Sequence, residues 1–261
     1  MDADHEISIY EDGLVSIITP AFNSEDFIAH TINSVQSQTY QVWEMFIVDD
    51  CSSDRTKEIV HQAAAQDTRI ELLTLTKNVG PAVARNIALK HASGRFVAFL
   101  DSDDLWLPDK LEQQVNFMLR TNIAFSYTQY RRLAMLDQNS GRLIDVPTSL
   151  TYWQLLRNTA IATSTVIIDR QKTGSIQTLD RGYDDFILWL SILKKGFVAY
   201  GLQEDLGRYR CGSSTSVSSN KLRSIKWVWS IYSDVERLNT LLAAWCFFGY
   251  AWNAYWKRRR F

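Results

Sequence analysis

The sequence has 261 residues, 46% of them hydrophobic, which is enough for one large α/β unit or two small domains with a sizeable core. Twenty-eight basic residues against 29 acidic ones give a net charge of −1 and exclude the global positive field that attracts nucleic acid. The three cysteines are widely spaced and odd in number, which excludes a disulfide framework and a paired-cysteine zinc site and indicates a reducing compartment.

The first hundred residues alternate short apolar runs with amphipathic segments. Near-continuous apolar runs are typical of parallel strands covered by helices on both faces. Ser52 or Ser53 is the expected cap of the second helix, and Pro81 suits the first turn of the third. The sequence therefore predicts half of a doubly wound α/β sheet. Its predicted strands are 15–19, 45–48, 70–74 and 96–100, and its predicted helices are 27–38, 54–66 and 82–92.

The pattern after residue 108 predicts a mixed continuation of the sheet. The predicted elements are a helix over 110–120, a mixed-sheet or antiparallel strand over 123–133, a strand over 163–168, a helix over 184–195, a return strand over 196–200 and a Ser- and Thr-rich loop over 212–220. We expect three parts along the chain. They are an N-terminal extension 1–13, an α/β domain 14–220 with halves 14–108 and 109–220, and a C-terminal helical segment 221–261.

An acidic run follows the fourth predicted strand, and ligands bind at the carboxyl ends of strands in doubly wound sheets. Asp101 and Asp103 lie two residues apart on extended chain, so their side chains point the same way. A turn after Ser102 would bring in Asp104 as a third carboxylate. Such hard oxygen donors suit Mg²⁺ or Mn²⁺ that holds substrate phosphates. The alternative is that these acids only cap the helix that follows.

Two further strand ends carry candidate ligand-binding residues. Asp49 and Asp50 follow the second strand, where one carboxylate would accept a hydrogen bond from a base or ribose and the other would fix its loop. An ordinary turn is the alternative. Asn78 and Gly80 form a turn before a helix whose N-terminus would face phosphate. Arg85, on that helix, is either a phosphate ligand or a surface residue.

Six stretches, in the same order, resemble the family 2 glycosyltransferases, a large inverting group with the GT-A fold. That fold is a Rossmann-like, doubly wound mixed sheet flanked by helices. The resemblance covers about residues 13–215. It is carried by VSIITPAFN (15–23), SQTY (37–40), IVDDCS (47–52), NVG (78–80), ARN (84–86) and FLDSDD (99–104).

The resemblance implies a UDP-sugar donor and a divalent metal, Mn²⁺ or Mg²⁺. It places Pro20 and Asp50 in the uridine pocket, and it assigns ribose, diphosphate and metal to Asp101, Asp103 and Asp104. The other residues expected to bind the nucleotide sugar are Phe22, Asn23, Asp49, Asn78, Gly80, Arg85, Ser102 and Arg210.

The stretch from Tyr183 to Trp189 is similar to the second acidic element of the family, in which Glu-Asp precedes a Trp-bearing helix. Asp184 stands where Glu is common. Displacement at the anomeric carbon needs a base near the acceptor hydroxyl. The resemblance places that base at Asp185, with Asp184 and Trp189 on the acceptor side. Without the resemblance, the two acids would simply favour the start of a helix.

The stretch from Tyr209 to Ser216 resembles a family loop that closes over the donor phosphates, to which Arg210 would supply positive charge. Cys211 departs from the family pattern, which has His or another polar residue there. A Ser-rich surface loop is the alternative.

Residues 224–256 are predicted to form an aromatic-rich helix that ends on a basic run, 257–260. Such a pattern is typical of a helix that lies on an anionic bilayer. A helix packed on the sheet, followed by a solvated tail, is the alternative. The first residues lack the apolar segment of a secretory signal, and no apolar stretch is long enough to span a bilayer. We therefore expect a cytoplasmic protein at the inner face of the cytoplasmic membrane.

The predicted reaction is transfer of glucose, galactose or an N-acetylated form from a UDP-sugar to a hydroxyl of a polyprenyl-diphosphate-linked glycan, as in O-antigen or capsular polysaccharide assembly. No nucleic acid partner is expected. A nucleotidyltransferase would carry a Gly-rich basic loop where this chain has Pro20 to Asn23. An aspartyl phosphatase would need further Thr and Lys elements. A non-catalytic sugar-nucleotide-binding module would not need Asp185.

Overall fold

A computed structural model describes residues 10–133, 141–158, 160–210 and 221–259, with side chains for all of these except 221–224 and 254–259. The predicted loop 212–220 and most of the predicted extension lie outside the described residues. The first strand begins at Glu11, so the end of the predicted extension belongs to the sheet.

One mixed sheet of ten strands runs through the described residues, in the order β3-β2-β1-β4-β9-β6-β10-β5, with β7 on β6 and β8 on β10. The strands are β1 Glu11–Ala21, β2 Trp43–Asp49, β3 Ile70–Thr74, β4 Gly94–Phe99, β5 Leu105–Trp106, β6 Phe125–Leu133, β7 Arg142–Ile144, β8 Ser149–Leu150, β9 Ile167–Asp169 and β10 Ala199–Arg210. The helices are α1 Ile28–Gln36, α2 Thr56–Gln66, α3 Pro81–His91, α4 Lys110–Thr121, α5 Tyr152–Leu155, α6 Arg170–Thr173, α7 Asp184–Leu193, α8 Lys221–Ser230 and α9 Thr240–Arg259.

The parallel half of the sheet is confirmed, because β1 pairs in parallel with both β2 and β4, and β2 pairs in parallel with β3. Successive side chains of each strand point to opposite faces of the sheet and pack in two different hydrophobic cores. Ile18 and Val48 face α3, α7 and the C-terminal helices, whereas Ile17 and Ile47 face α1, α2 and α4. Both faces are therefore covered, which explains the continuous apolar runs in the sequence.

The second half of the sheet is mixed, as predicted, since β6 pairs in parallel with β10 and antiparallel with β9. The return strand starts and ends later than the predicted 196–200, since β10 runs from Ala199 to Arg210 and pairs with β6 through two register shifts. The predicted strand 163–168 is partly wrong. Thr163–Thr165 forms a 3₁₀ turn, in which Thr165 bonds back to Ala162, and only Ile167–Asp169 is extended.

Two helix ends test the predictions of local structure. Pro81 lies in the first turn of α3, as predicted. The predicted cap at Ser52 or Ser53 is wrong, because α2 begins at Thr56 and Asp54 Oδ1 accepts the hydrogen bond from the Thr56 N–H at 3.0 Å.

The C-terminal segment is two helices instead of the single predicted one. After α8 the chain forms a π-helical turn, Ile231–Val235, and Arg237 takes a left-handed φ of 52° before α9 begins. Tyr232 is buried and donates a hydrogen bond to the Leu156 carbonyl. Within the described residues, no helix is long and apolar enough to cross a membrane.

Candidate active site

The loops that follow β1 and β2 are joined by hydrogen bonds at the carboxyl edge of the sheet. Asn23 adopts a left-handed φ of 48°, and its Oδ1 accepts a hydrogen bond from the Ser53 N–H at 2.9 Å. Its own N–H donates to Ser52 Oγ at 3.0 Å. Phe22, next to it, is 48% exposed. Pro20 is half-buried at the end of the same strand. These predicted nucleotide-side residues therefore lie together.

Asp49 and Asp50 both hold loops at this edge. Asp49 Oδ2 accepts from the Ser52 N–H at 3.2 Å. Asp50 accepts from the N–H groups of Val79 and Gly80 at 2.7 and 2.8 Å, one on each carboxylate oxygen. Gly80 needs its φ of 85°, a conformation that side chains disfavour, to turn both groups inward. Asp50 thereby fastens the loop before α3 to the end of β2.

Asn78 shares in this fastening, since its Nδ2 donates to the Asp50 carbonyl at 3.3 Å. The N-terminus of α3, with Pro81 in its first turn, therefore has a fixed position beside the β2 end. Both predicted members of the glycine turn, Asn78 and Gly80, lie at this edge.

The acidic run follows β4 beside these loops. Ser102 Oγ lies 2.7 Å from Ser24 Oγ, which ties the run to the β1 loop. Asp101 Oδ1 accepts from Arg85 at 2.7 Å. Burial, and then repulsion from the carboxylate of Asp101, raise the pKa of Asp103 to about 6. Arg85 offsets the charge of Asp101, whereas burial and the neighbouring Asp101 leave the charge of Asp103 poorly compensated, and this favours a cation beside Asp103.

The structure corrects the prediction of Asp104 as a metal ligand. Asp104 is 1% exposed, and its two oxygens accept hydrogen bonds from Ser164 Oγ at 2.5 Å and from the Arg210 N–H at 3.0 Å. Burial, and then repulsion from Asp103 and Asp101, raise the pKa of this carboxyl well above its ordinary value. Asp104 therefore anchors the acidic run to its surroundings.

Arg85 is neither a surface residue nor open to solvent. Its guanidinium bonds Asp101 at 2.7 Å and Asp184 at 2.5 Å, and its side chain is 8% exposed. Burial alone would lower the pKa of Arg85, but the carboxylates of Asp101, Asp184 and Asp185 outweigh it and raise that pKa. Arg85 consequently links the acidic run after β4 to the acids at the start of α7.

The two acids at the start of α7 differ in their surroundings. Asp184 is buried against Arg85, and burial, only partly opposed by that arginine, raises its pKa. Asp185 is half-buried, and its Oδ2 accepts from Thr163 Oγ1 at 2.7 Å while its Oδ1 accepts from the Phe186 N–H at 2.7 Å. Of the pair, Asp185 is the more open to a substrate.

Trp189 does not reach the acceptor side. It is 1% exposed and packs in the core, with ring centroids 5.3 Å from Phe99 and 5.2 Å from Phe125. Trp189 lies one turn beyond Asp185 on α7, and that turn faces the sheet. Its position corrects the prediction of an acceptor contact and indicates that it fixes α7 on the sheet instead.

Arg210 ends β10 above the acidic run. Its backbone N–H donates to Asp104, and its guanidinium lies 4.9 Å from the centre of the Phe27 ring. Burial lowers the pKa of Arg210, against the opposing effect of Asp103 and Asp104. The rest of the predicted phosphate loop, including Cys211, lies outside the described residues.

The sequence analysis missed the turn Thr163–Thr165, which contacts both acidic elements. Its hydroxyl groups bond Asp185 and Asp104, and its backbone accepts from Trp106 Nε1 at 2.7 Å. A run of three hydroxyl-bearing residues was the only feature of the sequence that could have indicated this turn, and the same run is compatible with a strand.

The carboxylates of the site can be compared with the ligands that a metal ion requires. No group of three His, Cys, Asp or Glu side chains converges within the described residues. Asp101 and Asp103 remain near each other, and two carboxylates fit a Mn²⁺ or Mg²⁺ ion that takes its other ligands from a diphosphate and water. The protein alone thus offers part of a coordination sphere.

Residues 16–178 match the sequence model of glycosyl transferase family 2. TuaG of Bacillus subtilis, named for glycosyl transfer in teichuronic acid biosynthesis, is 49% identical over 94% of this chain and 97% of its own. WfgD of Escherichia coli, a UDP-Glc:α-D-GlcNAc-diphosphoundecaprenol β-1,3-glucosyltransferase, is 43% identical over 86% of this chain and 87% of its own. Both relatives carry the name of a glycosyltransferase, and both are of about this length.

Solved structures agree on the fold. TarS 1–349 of Staphylococcus aureus in complex with UDP-GlcNAc superposes with a TM-score of 0.68 at 21% identity, over 84% of this chain and 66% of that one. The mannosyltransferase PcManGT of Pyrobaculum calidifontis, in complex with GDP-Man and Mn²⁺, superposes with a TM-score of 0.65 at 17% identity, over 92% of this chain and 73% of that one. The chain is a glycosyltransferase of surface-polysaccharide synthesis with a GT-A fold, and it belongs to glycosyl transferase family 2.

Proposed function

We propose that the protein transfers a sugar from a UDP-sugar to a hydroxyl of a polyprenyl-diphosphate-linked glycan, with inversion, in O-antigen or capsular polysaccharide assembly. The donor sugar is glucose, galactose or an N-acetylated form. The observation that carries the proposal is the half-buried carboxylate of Asp185, which Arg85 and its partners place beside the acidic run. The activity for which WfgD is named, on a diphosphoundecaprenol-linked GlcNAc, supports the donor and acceptor classes.

In this proposal Asp185 is the catalytic base. Its carboxylate takes the proton of the acceptor hydroxyl while that oxygen forms its bond to the anomeric carbon. The bond from that carbon to the diphosphate oxygen breaks at the same time, and UDP leaves with the electron pair. Attack from the side opposite the leaving group inverts the anomeric configuration. Asp184 keeps Arg85 in place beneath the base.

The donor occupies the carboxyl edge of the sheet. Pro20, Phe22 and Asn23 line the uridine side, together with the loops that Asp49 and Asp50 hold. Asp101 and Asp103 would hold a divalent metal ion, which would neutralise charge on the departing diphosphate. Ser102 and Arg210 border the same space.

A donor screen tests the proposal. Purified protein receives Mn²⁺, one UDP-sugar at a time and a polyprenyl-diphosphate-linked GlcNAc, and the released UDP is measured with and without acceptor. We expect acceptor-dependent release from one donor and inverted linkage in the product. Asp185→Asn should bind UDP normally and release none above background. UDP-sugar binding without release from any donor would instead identify a binding module and refute the proposal.

The same proposal places the enzyme at the inner face of the cytoplasmic membrane, and one face of α9 supports this location. Leu241, Trp245, Phe248 and Trp252 recur at helical spacing and are all at least half exposed, with Leu241 at 85% and Phe248 at 66%. We call these four residues the aromatic stripe. In sequence, the helix runs on into the basic residues 257–260, which complement an anionic lipid surface.

The opposite face of α9 is attached to the protein. Ala243 and Cys246 are buried in the core that α7 also enters, and Gly249 lets the helix approach Arg157 closely. Asn253 Nδ2 donates to the Arg157 carbonyl at 2.7 Å. The aromatic stripe is therefore presented by a fixed helix.

Vesicle sedimentation tests the location. The protein should sediment with vesicles that contain phosphatidylglycerol and less with pure phosphatidylcholine, and Leu241→Gln with Phe248→Gln should lower binding at least fivefold. Leu119→Gln is the matched control, because Leu119 is an exposed residue of α4, which covers the other face of the sheet. Equal binding of the stripe variant and the control would refute membrane contact through α9.

A further inference from the structure

The turn Thr163–Thr165 lies between the acidic run after β4 and the acids of α7. Thr163 Oγ1 donates to Asp185 Oδ2 at 2.7 Å. The next residue turns the other way, since Ser164 Oγ donates to Asp104 Oδ2 at 2.5 Å and accepts from the Asp101 N–H at 3.1 Å. Two adjacent hydroxyl groups thus connect the proposed base to the proposed diphosphate-binding run.

The turn is itself rigidly supported. Trp106 Nε1 donates to the Ser164 carbonyl at 2.7 Å, and Gln114 Nε2 donates to the Thr165 carbonyl at 3.0 Å. The three residues of the turn are buried, and Val166 after them is completely so. The hydroxyl of Thr163 is consequently presented from a support with little freedom to move.

The carboxylate of Asp185 depends on this support for its orientation. Its Oδ1 is bonded to the N–H of Phe186, the next residue of the same helix. The bond to Thr163 ties Oδ2 to a different element. Together the two bonds fix the plane of the carboxylate and leave a second lone pair on each oxygen for the acceptor proton. A displacement of ~1 Å at a reacting group can cost about 100-fold in rate.

We propose that Thr163 is a positioning residue for the catalytic base, and that the turn Thr163–Thr165 sets the distance between that base and the diphosphate-binding run. This inference rests on the proposed role of Asp185. Thr163 touches the base and not the reacting atoms. Its contribution belongs to the chemical step and not to donor binding, because donor-side residues keep all their contacts when the Thr163 hydroxyl is removed.

Three single substitutions test the inference in the full-length protein. Thr163→Val removes the hydroxyl and keeps the shape, so we expect kcat to fall about 10- to 100-fold while KM for the UDP-sugar changes less than twofold. Thr163→Ser keeps the hydroxyl and should restore kcat to within about threefold of the wild type. Thr121→Val is the matched control, because the Thr121 hydroxyl bonds the Phe117 carbonyl within α4 and contacts neither the turn nor the acidic elements.

The outcomes separate this inference from the proposed function. If Thr163→Ser is as slow as Thr163→Val, or if Thr121→Val is as slow as both, the Thr163 hydroxyl does not position the base and the inference fails. If Asp185→Asn is inactive and Thr163→Val is fully active, the base stands and the inference alone fails. If Asp185→Asn keeps its turnover, the proposed base is wrong, and the inference falls with it.

Discussion

Arg85 offers the sharpest test of how the site is held together. Its side chain is 8% exposed and that of Asp184 is 10% exposed, whereas Asp101 is 31% exposed. Arg85→Met keeps the length of the side chain and removes its charge. Two carboxylates then face one another across the site, and the buried one, Asp184, loses the guanidinium to which it is bonded.

The expected cost follows from the exposure of the two carboxylates. Removing one partner of a buried ion pair costs about 3–5 kcal/mol, because it leaves a buried charge without compensation. Most of this cost comes from Asp184. Asp101 contributes less, since nearly a third of its side chain is in contact with water, which screens the charge. We therefore expect Arg85→Met to lower the free energy of unfolding by about 3–5 kcal/mol.

Urea denaturation at pH 7.5, followed by tryptophan fluorescence, measures this loss. Adding Asp184→Asn to Arg85→Met should restore part of it, because the second change removes the unpaired charge. Arg55→Met is the control, since Arg55 pairs with Glu58 on the surface and its loss should leave the urea midpoint unchanged. A midpoint for Arg85→Met equal to that of the control would refute the reasoning. A double variant that is less stable than Arg85→Met alone would also refute it.

Three other changes probe the acidic run and its loops. Burial raises the pKa of Asp103 from 3.8 to about 6, so the stability that this residue contributes is complete below pH 3.8 and is lost as the pH rises through 6. Asp103→Asn should therefore raise the melting temperature at pH 7.5 but not at pH 4, while it abolishes Mn²⁺-dependent transfer; an equal rise at both pH values would contradict this. Asp104→Asn should keep its affinity for Mn²⁺ in the presence of UDP, measured by calorimetry, because the Asp104 side chain is bonded to Ser164. A loss of Mn²⁺ affinity as large as that of Asp103→Asn would instead show that Asp104 is a metal ligand. Gly80→Ala should cost about 1–3 kcal/mol, because a φ of 85° with a ψ of 162° is a backbone conformation essentially restricted to glycine. It should also raise KM for the UDP-sugar, because the hydrogen bond from the Gly80 N–H to Asp50 is disturbed; an unchanged KM would show that this loop does not shape the donor site.

The parallel half of the fold was predictable because its signals are local. Residues 15–19 and 45–48 are apolar on both faces, as covered parallel strands require, and the acids that follow strands had to meet at one edge. Asp101 and Asp50 were found in this way. The neighbourhood of each carboxylate was not predictable, since Asp104 is turned inward by Ser164, a residue 60 positions away.

The errors have a common physical origin in contacts between distant segments. The sequence around Trp189 does not tell whether this residue packs between Phe99 and Phe125 or faces a substrate. The C-terminal segment has helical spacing throughout, but Tyr232 is drawn to the Leu156 carbonyl and the helix is broken nearby. The turn Thr163–Thr165 depends on hydroxyl groups that bond partners on other elements.

The C-terminal helices share a core with the helix that carries the proposed base, and this has a practical consequence for producing the enzyme. Val228 and Tyr232 pack in the same cluster as α7, and Glu236 accepts a hydrogen bond from Lys194, just beyond α7, at 2.8 Å. A chain shortened before α8 would uncover the back of α7 and loosen Asp185. Improved solubility is therefore to be sought by polar substitution in the aromatic stripe, which leaves that shared core whole.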